Sequence, residues 1–234
     1  MIKKIIGSVL DFFLPNVCVI CGRDTGEPDS VVCRGCFRSI EYITYPFCVT
    51  CSIPLPDGGA HCWKCRRTRY HFEKIAAAGR YAGVLRNMIL KFKEKETLRR
   101  PLGEVLLKAV RERIPVDDVE VIVPVPLSRK REFERGYNQS QLLAEHIGSS
   151  LGKRVVIKNL LRVKDTKPQF KLSKEERLEN LKGAFSVADP AAFRNKNIIL
   201  VDDITTTCVT FEECSAVLRR AGSGRIYCAT LARD

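Results

Sequence analysis

Eight of the eleven cysteines in this 234-residue chain fall before residue 66, in four Cys-x-x-Cys pairs: Cys18 and Cys21, Cys33 and Cys36, Cys48 and Cys51, Cys62 and Cys65. No other feature limits the fold so strongly. A Cys-x-x-Cys turn brings two thiolates together, and two such turns complete the tetrahedral set that binds structural zinc. The gaps within pairs one and two resemble those within pairs three and four, which suggests two successive ribbons. A cross-braced arrangement, first pair with third, fits the same spacing. Four thiolates leave zinc no open position for water, so two structural Zn²⁺ ions are expected rather than a catalytic one. His61 is the weaker candidate ligand, because the cysteine set is complete without it.

Disulfides account less well for this pattern. The opening MIKKIIGSVLDFFLP carries two lysines like an export signal, but Asp11 interrupts its apolar run and no small-residue cleavage site follows. It reads as a short amphipathic helix packed on the body. No apolar run is long enough to span a bilayer, so a cytoplasmic protein is expected. A region of about 50 residues with so few large apolar side chains needs metal staples to fold. Residues 1–70 therefore read as an N-terminal helix with a double zinc ribbon, and 71–234 as a second domain. Trp63, Tyr70 and Phe72 suit either base stacking or, more commonly, the joint between two small domains.

The second domain has the pattern of an α/β protein with a mostly parallel sheet. Val84, Leu85, Met88, Ile89 and Phe92 repeat at helical spacing, as do Leu102, Val105, Leu106, Ala109 and Val110. Residues 119–125 form an apolar strand that ends in prolines, which places 127–136 outside the sheet as a loop. Asn138 is placed to cap the next helix, with Leu142, Leu143 and Ile147 facing inward. Cys214 and Cys228 fall on apolar faces and read as core.

Charge narrows the partners. Residues 71–234 carry 31 basic and 21 acidic side chains, against 9 and 6 in residues 1–70. A basic surface suits single-stranded DNA or an acidic phosphate ligand. Arg129, Lys130, Arg131 and Arg135 are candidates to hold pyrophosphate or nucleic acid, and Lys167, Lys171, Lys174 and Arg177 add a second basic stretch.

The most chemical segment is VDDITTTCVT at 201–210, directly after the buried run at 198–201. Ligands of open α/β sheets bind beyond the strands' carboxyl ends, so Asp202 and Asp203 should emerge into a crevice. Two adjacent acids there want hydroxyl donors, a divalent cation, or both. Thr205, Thr206, Thr207 and Thr210 place hydroxyls at a helix N-terminus, where the dipole favours phosphate, and Thr210 with Glu213 reads as a capping box.

This segment resembles the phosphoribosyl-pyrophosphate signature of type I phosphoribosyltransferases: Asp202, Asp203, Thr206, Thr207 and Thr210 match, and Cys208 stands where the signature has glycine. A left-handed backbone at that position would add roughly 1–2 kcal/mol of strain for cysteine. With VPVPLSRKREFERGYNQ at 123–139, KPQFKLSKEERLENLKGAF at 167–185 and the four cysteine pairs, the whole chain is similar to the ComF family of competence-associated proteins.

The resemblance implies a zinc ribbon preceding a type I phosphoribosyltransferase-like domain. It implies handling of single-stranded DNA in DNA uptake, beside a helicase or uptake-machinery partner. The alternative it implies is an active, amidophosphoribosyltransferase-like enzyme of nucleotide metabolism. In either case Asp202 and Asp203 would hold ribose hydroxyls, Mg²⁺ would accompany phosphoribosyl pyrophosphate, and residues 205–210, Cys208 and Val209 included, would cradle the 5′-phosphate. No acceptor-binding hood can be read from the sequence.

Overall fold

The computed structural model describes residues 17–164 and 181–234. The expected N-terminal helix and the basic positions Lys167, Lys171, Lys174 and Arg177 lie outside the described residues. In chain order the elements are α1 (Arg34–Arg38), β1 (Lys74–Arg80), α2 (Gly83–Phe92), α3 (Arg99–Arg113), β2 (Val121–Pro124), α4 (Arg129–Arg135) and α5 (Gln139–Leu151). There follow β3 (Arg154–Val155), β4 (Leu160–Arg162), β5 (Phe185–Val187), β6 (Ile198–Thr205), α6 (Val209–Arg220) and β7 (Ile226–Arg233).

Five strands form one sheet in the order β1-β7-β6-β2-β3, every neighbouring pair parallel. Parallel strands buried on both faces need apolar side chains in unbroken runs, and β6 and β7 supply them. On one face α2, α3 and α5 bury Leu85, Met88, Leu102, Leu106, Leu143 and Ile147. The other face is covered by α6 and by Phe185, Phe193, Phe211 and Leu218. Cys214 and Cys228 are fully buried there, as expected of core residues.

Strand β1 is the largest departure from the sequence reading. Its stretch KIAAAGR has no alternating pattern and a single branched side chain, Ile75, yet it pairs with β7 along its length. Its other edge is covered by the cysteine-rich region: Ile43 N donates to Ala78 O at 3.0 Å, Arg80 N to Glu41 O at 2.9 Å, and Ile75 N to Thr50 O at 2.8 Å. An edge strand otherwise presents unpaired backbone groups to solvent. Gly79 is needed for this approach, because a Cβ there would lie 2.9 Å from Glu41 O and 2.6 Å from Leu85 Cδ2.

Arg113 at the end of α3 fastens the same seam, donating to Ala77 O at 2.7 Å and to Ile43 O, with its guanidinium over Phe47. Tyr70 stacks on buried Phe72 with centroids 4.7 Å apart, so these two cover the joint. Trp63 does not: it is exposed, with Arg67 over its ring.

Two further local readings change. Residues 129–135 lie outside the sheet as expected but are helical, with Ser128 at the N-cap and Gly136 closing the helix in the left-handed region. Asn138 does cap α5, its side chain accepting from Ser140 N. A two-stranded antiparallel ribbon, β4 with β5, stands outside the main sheet.

Candidate functional site

The eight cysteines gather into two clusters, Cys18, Cys21, Cys33 and Cys36 in one and Cys48, Cys51, Cys62 and Cys65 in the other. The pairing is therefore successive, not cross-braced. Sulfur–sulfur distances of 3.7 Å for Cys18–Cys36 and Cys21–Cys33, and 3.8 Å for Cys51–Cys62, test the fit to metal. A zinc tetrahedron with bonds of about 2.3 Å has edges of about 3.8 Å, so both clusters have the dimensions of a zinc site. His61 stays out of the second cluster and contacts Thr50 Oγ1 at 3.2 Å.

At the carboxyl end of the sheet, β6 outruns its neighbour. Pairing with β2 stops at Pro124 opposite Val201, because prolines end β2, while pairing with β7 continues to Thr205 opposite Arg233. Asp202 and Asp203 thus lie within the strand, on the part that β2 no longer covers. Asp202 Oδ1 accepts from Ser140 Oγ and from Asp203 N, both at 2.9 Å. Its carboxyl is pushed up to about 7, first by withdrawal from water and then by the adjacent Asp203 charge, while the Ser140 hydroxyl and the Asp203 N–H favour the ionised form. Asp203 Oδ2 lies 3.7 Å from Lys93 Nζ at the end of α2.

The segment after the acids makes a tight turn into α6. Thr205 is buried at the strand end, and Thr206 and Thr207 are partly exposed. Cys208 is the N-cap of α6, at φ 67° and ψ 2°, the left-handed conformation that glycine adopts without strain. The expected capping box fails for this reason: the helix starts at Val209, which puts Thr210 inside its first turn, and Glu213 instead accepts from Gly183 N at 3.3 Å. Val209 turns its side chain into the core.

Three carbonyls of the turn are tied down from below. Lys64, between the ligands Cys62 and Cys65, donates to Thr207 O at 2.8 Å. Arg233 at the end of β7 donates to Thr205 O at 3.3 Å and to Thr206 O. The Cys208 thiol is buried in the same core cluster as Cys48 and Cys51, two ligands of the second set. His71 holds α6 from the same side, its backbone N and ring Nδ1 reaching the Glu212 carboxylate at 2.9 and 2.6 Å.

The four loop cations divide. Arg131 is partly buried near enough to Asp203 for its charge to act there, and Arg135 donates to Gln139 Oε1 at 2.8 Å. Lys130 is exposed. Arg129 instead lines a cavity of about 460 Å³ with Asn138, Gln141, Lys158, Leu160 and Lys164, between the end of β2 and the β4 ribbon. Ser140, Lys93, Lys64 and Arg233 carry no sequence signal of their own, since each meets the site only through the tertiary fold.

The double zinc ribbon domain family matches residues 9–66. Competence protein F of Haemophilus influenzae is 33% identical over 222 residues, which cover 92% of this chain and 96% of the relative. DNA utilization protein YhgH of Salmonella typhimurium is 27% identical across 94% of this chain and 98% of its own. Among solved structures, the purine phosphoribosyltransferase of Pyrococcus horikoshii is similar over 57% of this chain and 71% of its own, at 16% identity and a TM-score of 0.34. Within the described residues, no helix is long and apolar enough to cross a membrane.

Proposed function

The chain belongs to the competence protein F family, and from that premise we propose that it handles single-stranded DNA during DNA uptake and takes a phosphorylated ribose at the end of β6. The observation that most supports this reading is the turn at 205–208. Its carbonyls at 205, 206 and 207 are all engaged from below by Arg233 and Lys64, which favours presenting its N–H groups on the opposite side. Successive backbone N–H groups at a helix start make a natural phosphate seat.

Asp202 and Asp203 stand next to that seat as acceptors for ribose hydroxyls. With phosphoribosyl pyrophosphate as ligand, they are also the acids to accompany a Mg²⁺ ion. Arg131, partly buried on the helix after β2, is the loop cation we assign to a second phosphate. Exposed Trp63, with Arg67 on its ring, offers a stacking surface for a base on the ribbon that carries Lys64. The excess of basic side chains in residues 71–234 supplies the attraction for a DNA backbone.

Two measurements test this. Filter binding compares single strands bearing a 5′-phosphate with strands bearing a 5′-hydroxyl across a salt series. Tighter binding of the phosphorylated strand is expected, with affinity falling as salt rises; equal affinity at every salt concentration overturns the proposal. Calorimetry with phosphoribosyl pyrophosphate and Mg²⁺ tests the cradle directly, and absence of heat in both the native protein and Cys208→Gly removes the ribose-phosphate site.

A further inference from the structure

Arg233 is a buried cation without a carboxylate. It is 7% exposed, no acid among the described residues lies within ion-pair distance of it, and its Nε has no hydrogen-bond partner there. Carbonyl oxygens satisfy part of the guanidinium but bring no net charge. An uncompensated buried charge is costly, so a counter-charge is required nearby. The second cysteine set is the group the fold brings to this turn: Lys64, between its ligands Cys62 and Cys65, donates to Thr207 O at 2.8 Å, and Cys48 and Cys51 share a buried cluster with Cys208 and Val209. Four neutral thiols would not neutralise it. A zinc ion with four thiolates carries a net charge of about −2, which would.

Resting on the ribose-phosphate reading above, we infer that the second zinc centre is the counter-ion that seats the phosphate turn: its charge holds Arg233 and Lys64 beneath the carbonyls of residues 205–207, so zinc occupancy there controls ribose-phosphate binding. Arg233 and Lys64 are positioning residues, acting on the ligand only through the backbone they orient. Cys208 packs in the same buried cluster as the ligands Cys48 and Cys51, which gives a reason for a side chain rather than glycine at a left-handed position. The first centre has no such link. Three of its ligands, Cys18, Cys33 and Cys36, pack into the core cluster on the opposite face of the sheet, and the cation beside it in sequence, Arg23, is exposed.

The test uses the full zinc-loaded chain and three variants: Cys65→Ser in the second centre, Cys21→Ser in the first, and Lys64→Met with both centres intact. Zinc content, hydrogen exchange of the amides of residues 206–210, and calorimetry with ribose 5-phosphate are measured on each. Cys65→Ser is expected to lose one zinc, to speed exchange at the turn at least tenfold, and to weaken ribose 5-phosphate at least tenfold. Cys21→Ser should leave turn exchange and affinity within twofold. Lys64→Met should keep both zinc ions yet speed exchange at the turn severalfold, and it carries the test if Cys65→Ser does not fold.

Unchanged turn exchange in Lys64→Met, or equal effects of the two cysteine variants, overturns the inference. If the native protein gives no heat with ribose 5-phosphate, the ribose-phosphate reading fails, while exchange still decides whether the zinc centre seats the turn.

Discussion

The two zinc centres have the same ligands and similar spacing but sit on opposite faces of one sheet, with different neighbours. The first has Cys21 and Arg23 exposed at one side, while its other sulfurs, Cys18, Cys33 and Cys36, are buried in apolar core. The second adjoins the turn at 205–208, to whose carbonyls Lys64, between two of its ligands, and buried Arg233 both donate. The difference teaches that a structural metal centre contributes more than a staple. A zinc–thiolate group is an anion, and where it is buried it decides which cations can be buried beside it.

The largest expected effect would erase the comparison altogether. Chelation should remove two zinc ions per chain and unfold both ribbons, since structural zinc contributes about 10–16 kcal/mol to folding of such modules; metal analysis giving fewer than two ions would break the two-centre description. Next is the contrast between the two arginines. Arg233→Met leaves the second centre's charge without its buried partner and should cost about 3 kcal/mol in urea denaturation, whereas Arg23→Met should have no measurable effect. Equal losses would mean that the two centres are electrostatically alike.

A smaller effect concerns the acid at the other side of the turn. The folded protein holds the Asp202 proton up to a pH of about 7, well above where the unfolded chain releases it at about 3.8. In that window the native state binds more protons than the unfolded one, so Asp202 makes stability fall as pH rises. Asp202→Asn, which has no proton to lose, should raise the melting temperature at pH 8 by about 2–4 °C and bring no gain at pH 4. A gain that persists at pH 4 would assign it to packing instead.

The smallest effect is at Cys208. Glycine there removes roughly 1 kcal/mol of left-handed strain but also a buried side chain, leaving a net change within about 1 kcal/mol by denaturation. Stabilisation of the full strain term would show that burial of the thiol contributes nothing.

Much of this molecule is legible locally. Helices α2, α3 and α5 follow apolar spacing, Asn138 marks a cap by its side chain alone, and β6 shows itself as an apolar run. Elements that depend on neighbours are not legible. The alanines of β1 suit a strand only because β7 and the ribbon pair with both of its edges. Nothing near Asp203 announces Lys93, and nothing near Asp202 announces Ser140, because these contacts close only when α2 and α5 pack on the sheet. The capping box at Thr210 fails because the turn places its left-handed residue at Cys208, and the carbonyls before it are held by Lys64 and Arg233 from distant parts of the chain.

The sequence by itself determined the metal, its two sites of four cysteines, the parallel α/β character and the acid and threonine turn, because each depends on residue types held at short, fixed spacing. Only the tertiary structure decided which zinc centre lies under that turn and which cations stand between them. That choice depends on strand order and on the ribbon pairing with β1, which bring Lys64 against Thr207 and put Cys51 and Cys208 in one buried cluster. Metal coordination is local chemistry; neutralising a buried charge depends on what the whole fold places beside it.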